Sequence, residues 1–233
     1  MIARVAAAIP AYQAAATVAA VVTGTRPLVA ELIVVDDGST DGTGNAARAA
    51  GAEVLVHASN LGKGRALRTA FDALFARGAD AVVTLDADGQ HRPDQIPRLI
   101  DGASGGADLV LGTRDHVFSA MSPVRRASNR VSSFVISAVA GVQLRDIQTG
   151  FRLYTRRLVD ACGFPEPRFE AESAVIIRAA RRGLRIEIVP VRMDLVDGRA
   201  TSHYRPLVDS LRIAFAVAKA RLEPAAEHPR ERP

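Results

Sequence analysis

A mostly parallel α/β sheet with helices on both faces is the fold that this 233-residue sequence predicts. Three observations carry that prediction. Short apolar runs alternate with longer amphipathic runs through the first half, the rhythm of strand–helix–strand units. Some short runs, such as "ELIVVDD", are apolar nearly throughout, as strands covered on both faces are. Polar residues then collect directly after the strands, at 10–13, 36–41, 86–91 and 112–114. Ligands of such sheets lie there, beyond the carboxyl ends of the strands.

The elements follow in order. "ARVAAAIP" reads as a strand and "QAAATVAAVVTGT" as a helix ending at a glycine. "ELIVVDD" is a buried strand, and "TDGTGNAARAAG" a turn running into a helix that Ser39 or Thr40 can cap. "EVLVH" is a strand. "GKGRALRTAFDALFARG" is an amphipathic helix closed by Gly78, and "DAVVTLDAD" a strand. "RPDQIPRLIDGAS" is a helix and "ADLVLGTR" a strand. Residues 119–141 read as a helix, basic first and apolar later. "DIQTGFRLYTRR" is a loop with a short strand leading into a helix, and "EAESAVIIRAARRG" a helix. "RIEIVPVRM" is a strand broken by Pro190, and "YRPLVDSLRIAFAVAKARL" a final amphipathic helix. From Glu223 the chain turns Pro- and charge-rich and is expected to be disordered.

Composition narrows the classes. Hydrophobic residues make up 48% of the chain, enough for a sizeable core, and Trp is absent. The single Cys162 excludes an intrachain disulfide and fits a reducing compartment. The start "MIARVAAAIPAYQ" lacks the features of a signal peptide. No apolar run reaches the roughly 18 residues of a spanning helix. The net charge of +5 suits phosphate-bearing ligands or an anionic surface. Nucleic acid fits poorly, because aromatic residues do not interleave with the basic ones. Of the basic clusters, Arg178, Arg181, Arg182 and Arg185 read as a solvated helix face.

Two acidic pairs carry the chemistry. Asp36 and Asp37 end a strand, where a carboxylate can accept from a ribose or base edge. Asp86 and Asp88 flank Ala87, so in extended backbone they lean the same way. Two like charges so close call for a cation. Oxygen ligands suit a hard ion, Mg²⁺ or Mn²⁺, which binds through one or two carboxylates plus substrate phosphates. Gln90 can add a carbonyl oxygen, while His91 reads as a surface histidine. "NLGKG" sets Lys63 between glycines at a helix start, where backbone N–H groups favour anions. That stretch fits phosphate contact and a solvated lysine equally well.

The ordered segments "IPAYQ", "VVDDGSTDGT", "NLGKGRAL", "LDADGQH", "GTR", "DIQTGFRLY", "FEAE" and "SHYRPLVDSLRI" resemble family 2 glycosyltransferases of the GT-A nucleotide-diphospho-sugar transferase fold. The nearest group is the dolichol- or polyprenyl-phosphate mannosyltransferases and their glucosyltransferase relatives. The resemblance implies one domain over 1–222, with a nucleotide-sugar half at 1–115 and an acceptor half at 116–222, and 223–233 a disordered tail. It implies that Pro10, Ala11, Tyr12, Gln13 and Asp37 hold the nucleoside, with the Val35 backbone beside them. Gln13 stands where the family usually has Asn or Glu. The implied metal ligands are Asp86, Asp88 and Gln90, with Ala87 and Lys63 at the donor. Arg114 resembles an arginine that meets the donor. Gln148 and Arg152 lie near the acceptor, and Arg199, His203 and Arg205 are candidates for a basic lid over phosphates. Asp146 and Asp88 are the candidate catalytic acids.

The implied reaction is an inverting, metal-dependent transfer of a hexose from a GDP-mannose- or UDP-glucose-type donor to a polyprenyl phosphate. A soluble small-molecule or glycan hydroxyl acceptor is the rival, since no spanning helix is visible, and a non-catalytic nucleotide-sugar binder is another. A nucleotidyltransferase fits less well, because "IPAYQ" stands where a Gly- and Arg-rich loop belongs. The expected place is the cytoplasm, with peripheral contact at the cytoplasmic membrane face through Arg125, Arg126, Arg130 and the apolar run after them.

Overall fold

The computed structural model describes residues 2–113, 137, 149–194 and 206–223. Strands β1 (Val5–Ala11), β2 (Glu31–Asp36), β3 (Glu53–Val56), β4 (Ala81–Thr84), β5 (Leu109–Thr113), β6 (Arg152–Thr155) and β7 (Ile186–Pro190) form one sheet in the order β3-β2-β1-β4-β6-β5-β7. Its ladders are parallel except at β6, which runs antiparallel between β4 and β5. The mostly parallel sheet is therefore a mixed one. The reversal was not readable from "GFRLY", because β6 is as buried as its parallel neighbours and carries the same apolar pattern.

Helices α1 (Val18–Thr25), α2 (Thr43–Ala49) and α4 (Ile96–Ser104) cover one face, with Val18, Val22, Ala47, Ile96 and Leu99 buried against Ile9, Val34 and Val83. Helices α3 (Lys63–Ala76), α5 (Arg156–Cys162), α6 (Glu170–Arg181) and α7 (Pro206–Leu222) cover the other, with Leu67, Phe71, Leu74, Leu158, Val175 and Val217 in one cluster. Each fully buried aliphatic side chain of this kind contributes about 1.5–3 kcal/mol. Phe71, Tyr154 and Phe164 meet at centroid distances of 5.0–5.5 Å and supply most of the aromatic packing. No helix among the described residues is long and apolar enough to cross a membrane.

Several sequence expectations shift by physical detail. The first helix runs through Gly24 and ends where Arg26, Pro27 and Leu28 tighten into a 3₁₀ turn. Gly24 has a packing reason: a Cβ there would stand 2.9 Å from Pro93. Neither Ser39 nor Thr40 caps α2: its N-cap is Gly42, in the left-handed region, and Asp41 just before it braces the first residue of the helix. Asp41 Oδ1 accepts from the Thr43 N–H at 3.0 Å and from its hydroxyl at 2.5 Å. Burial pushes this acid up, but the Thr43 and Ala15 donors outweigh it and hold the carboxyl below its usual range.

The solvated-face reading of Arg178 is overturned. Its side chain is 1% exposed and donates to Glu166 and, in a fork at 2.8 and 2.9 Å, to Glu223. Arg181 donates to the Ala220 and Glu223 carbonyls at the end of α7. Glu223 is thus held by α6 rather than starting a loose tail, since a buried guanidinium demands a second acid. Residues 224–233 lie outside the described residues.

Candidate functional site

The polar residues gather at the carboxyl edge of the sheet because parallel strands deliver their ends together. Ala11 lies opposite Asp36 in the β1–β2 ladder, and Ala8 opposite Thr84 in the β1–β4 ladder. Strand β1 therefore separates the two acidic pairs. At about 4.8 Å per strand, the tips of β2 and β4 stand roughly 10 Å apart. Metal–oxygen bonds are about 2.0–2.6 Å long, so the two pairs cannot grip one ion together.

The first pair builds the loop scaffold. Asp36 Oδ1 accepts from the Ser39 N–H at 2.9 Å. A Cβ on Gly44 would stand 2.6 Å from Asp36 Oδ2, so glycine there makes room for the acid. Asp37 is 3% exposed. Its Oδ1 accepts from Leu61 N–H at 2.9 Å and lies 2.7 Å from His57 Nδ1, and its Oδ2 accepts from Gly62 N–H at 2.7 Å. His57 Nε2 in turn reaches Thr69 Oγ1 on α3 at 3.0 Å. The acid that the resemblance assigns to the nucleoside thus also anchors the loop leading to Lys63. Gln13, at φ 52°, holds the opposite side of this turn. Its amide donates to Thr40 Oγ1 and accepts from Thr40 N–H, at 3.1 and 3.0 Å, so its side chain faces the turn. Pro10 and Tyr12 are half-buried beside it, and the side chains of Val35 and Ala11 are buried.

The second pair meets the cation its charge requires, and that cation is in the chain. Lys63 Nζ lies 2.6 Å from Asp86 Oδ1 and 2.9 Å from Glu172 Oε2. Burial pulls the ammonium down, but Asp86 and Glu172 more than reverse this and hold it charged, well above the usual lysine range. The reading of Lys63 as solvated fails, because its side chain is only 12% exposed. His91 is likewise buried, at 3%. It stacks on Phe151 with centroids 5.3 Å apart, and its Nδ1 accepts from the Asp86 N–H at 2.8 Å. The extended-backbone expectation does not hold at the tip, where the chain turns at Ala87 and Asp88. Asp88 Oδ1 instead accepts from the Gln90 N–H at 3.0 Å, across Gly89 at φ 80°.

Gly150 and Arg152 close the floor. A Cβ on Gly150 would lie 2.6 Å from both Lys63 Nζ and Asp86 Oδ2, so any larger residue displaces the pair. Gly150→Ala is expected to weaken Mn²⁺-dependent nucleotide binding about tenfold or more while metal-free affinity changes little, checked by calorimetric titration with Mn²⁺ and with EDTA. Arg152 is 1% exposed. It donates to the Thr149 carbonyl at 2.7 Å and to the Glu172 carbonyl at 2.6 Å. The expected contact with an acceptor is corrected: its guanidinium faces inward and braces the "TGFR" turn against α6. A buried cation needs such acceptors, and the first turn of α6 supplies one.

Among the described residues, no group of three His, Cys, Asp or Glu converges as a cage for a metal ion. The donors at the tip are nevertheless of the hard, oxygen-bearing kind: Asp88 and Gln90, half-buried on one tight turn. They fit Mg²⁺ or Mn²⁺ bound with substrate phosphates and water completing the shell. Asp86 sits beside them with one oxygen against Lys63. Arg114, Asp146, Gln148, Arg199, His203 and Arg205 lie outside the described residues, as do Arg125, Arg126 and Arg130. Sequence reasoning missed His57, Gly150 and the role of Glu172. Glu172 alone left a signal, an acid inside the "FEAE" stretch at the start of an amphipathic helix.

The comparisons with known proteins bear on family and fold. The family model described as glycosyl transferase family 2 matches residues 7–163. Glycosyltransferase AglJ of Haloferax volcanii is 34% identical over 78% of this chain and 60% of its own length. The undecaprenyl-phosphate mannosyltransferase of Micrococcus luteus is 35% identical over 69% of this chain and 70% of its own. The polyprenol monophosphomannose synthase of Mycolicibacterium smegmatis is 35% identical over 55% and 52%. The chain thus spans little more than half the length of some relatives. Among solved structures, glucosyl-3-phosphoglycerate synthase of Mycobacterium tuberculosis, in complex with Mn²⁺, uridine diphosphate and glucosyl-3-phosphoglycerate, superposes with a TM-score of 0.74. It is 24% identical and the match covers 96% of this chain and 81% of that one, which fixes the fold as the GT-A type. Motif order, sheet topology and a family match over most of the chain coincide: the protein belongs to glycosyl transferase family 2.

Proposed function

We propose that this protein is an inverting glycosyltransferase that moves a hexose from a GDP-mannose- or UDP-glucose-type donor to a polyprenyl phosphate, with Mg²⁺ or Mn²⁺ as cofactor. One observation carries the reading. The carboxyl edge pairs a loop scaffold built on Asp37 with a separate oxygen-rich turn at Asp88 and Gln90, about two strand spacings away. A nucleoside at the first and its diphosphate at the second would span that edge. The polyprenyl-phosphate relatives from Micrococcus and Mycolicibacterium support the acceptor class. The Mn²⁺ and uridine diphosphate in the superposable synthase support the cofactor and donor classes.

In this reading Pro10, Tyr12 and Asp37 line the nucleoside side, and Asp88 with Gln90 would hold the ion. When bound, the ion supplies charge neutralisation for the departing diphosphate. An acceptor phosphate oxygen attacks the anomeric carbon as the bond to the β-phosphate oxygen breaks, and that electron pair leaves with the nucleoside diphosphate. The acceptor oxygen is already ionised at neutral pH, so no strong base is needed. Asp146 is then the candidate that positions the acceptor, and Arg114, Arg199, His203 and Arg205 are candidates for phosphate contact. Peripheral contact with the cytoplasmic face of the membrane belongs to the same reading.

The test is transfer from radiolabelled GDP-mannose or UDP-glucose to a polyprenyl phosphate with Mn²⁺. Label is expected to enter the organic phase, and EDTA to abolish the transfer. Donor binding without lipid labelling, joined to label on a water-soluble acceptor, would replace the lipid reading with the soluble one.

A further inference from the structure

We propose that Glu172 and Lys63 act as a charged strut that fixes the turn carrying Asp88, so that Lys63 is a positioning residue rather than a phosphate ligand. This rests on the nucleotide–metal reading above and adds to it two residues with defined work. The strut is continuous. Glu172 Oε2 meets Lys63 Nζ at 2.9 Å, and Lys63 Nζ meets Asp86 Oδ1 at 2.6 Å. The Asp86 N–H then donates to buried His91, whose backbone bridges to Met193. The segment 86–91 is thereby tied at its first residue to α3 and α6, and at its last to the chain beyond β7.

Each end of the strut is itself immobilised. Lys63 opens α3 at a point where a Cβ on Gly62 would lie 2.5 Å from the Pro167 carbonyl, and one on Gly64 would collide with the Glu166 carbonyl. The helix start is therefore pressed against the chain that leads into α6, which sets the Lys63–Glu172 distance. Glu172 is 7% exposed, and its backbone carbonyl accepts from Arg152. Without the ammonium between them, half-buried Asp86 and buried Glu172 would repel each other. Lys63 has a carboxylate on each side, which occupies two of its three N–H donors and directs the ammonium between Asp86 and Glu172. Removing one partner of a buried charged contact leaves the others uncompensated.

The test measures Mn²⁺ binding by the decrease of the free-ion electron paramagnetic resonance signal, with uridine diphosphate or guanosine diphosphate present. Nucleotide binding in EDTA is measured alongside. The strut predicts Mn²⁺–nucleotide binding about tenfold or more weaker in Glu172→Ala, a smaller loss in Glu172→Gln, which keeps an acceptor for Lys63, and the largest loss in Lys63→Met. Metal-free nucleotide affinity stays within about twofold in all three. If Lys63→Met does not fold, the graded Glu172 pair carries the comparison alone. Full Mn²⁺–nucleotide binding in folded Glu172→Ala overturns the strut. So does metal-free affinity that falls in Lys63→Met and rises in Glu172→Ala, because the lysine would then be gripping the diphosphate. Wild-type protein that binds neither nucleotide with Mn²⁺ refutes the nucleotide–metal reading itself.

Discussion

Asp88→Ala is expected to eliminate the thermal shift that Mn²⁺ and a nucleoside diphosphate produce in the wild-type protein, and to lower turnover by roughly 10²–10³-fold or more. The reason is local. Asp88 stands on a turn of the carboxyl edge where hard oxygen donors are half-buried together, and there its Oδ1 accepts from the Gln90 N–H. Each bond of that kind is worth about 0.5–1.5 kcal/mol, so the unliganded variant should remain folded. The ligand effect is larger. Ligand at 100 times its dissociation constant stabilises by about 2.7 kcal/mol, equivalent to roughly 5–10 °C for a chain of this size. Differential scanning fluorimetry against uridine and guanosine diphosphates, with and without Mn²⁺, separates the two terms. A full shift in Asp88→Ala removes the acid from the ion's shell.

Arg178→Met is expected to cost about 3–5 kcal/mol of stability, because it leaves Glu166 and Glu223 facing each other across a buried space. The melting temperature should fall by roughly 6–20 °C. Glu166→Gln in the same chain should restore part of the loss, since the remaining repulsion is then between one acid and an amide. The pH profile follows from the same contact. The Arg178 fork holds the Glu223 carboxyl below its ordinary value of 4.5. A depressed folded value means that the stabilisation is complete above the ordinary value and disappears as pH falls through the lower one. Wild type should therefore lose stability on the acid side more steeply than Arg178→Met, which has no such contribution to lose. Urea titrations from neutral pH down to about pH 3 measure this directly, and parallel curves for the two proteins would dismiss the clasp as an energetic feature.

What could be read from the amino acids was the material with a short-range signature. Apolar runs of strand length bounded by Gly and Asp placed the strands of the first half, and their ends placed the acids. Gly78, in the left-handed region at φ 88°, closed α3 as its position after an amphipathic run implied. The rest depended on contacts far apart in the chain. Asp86 and Lys63 are separated by a strand and a helix, and Glu172 comes from the other half. No pattern within either segment announces that one lysine will be shared between them. Arg178 failed for the same reason. Its cluster has the spacing of an outer helix face, and only the packing of α7 on α6 turns that face inward. The antiparallel sense of β6 also left no trace, because side-chain alternation is the same in both directions along a strand.

That reversed strand has a bearing on how such a protein can change its substrate. β5 ends at the carboxyl edge with Thr113, and β6, running the other way, begins there with Arg152. The chain consequently departs from the sheet and rejoins it at one edge, the edge that carries the acids. A connection anchored at both ends on one edge can change its length without shifting the register of a ladder, provided that Gly150 and Phe151, which pack on Lys63 and His91, are kept.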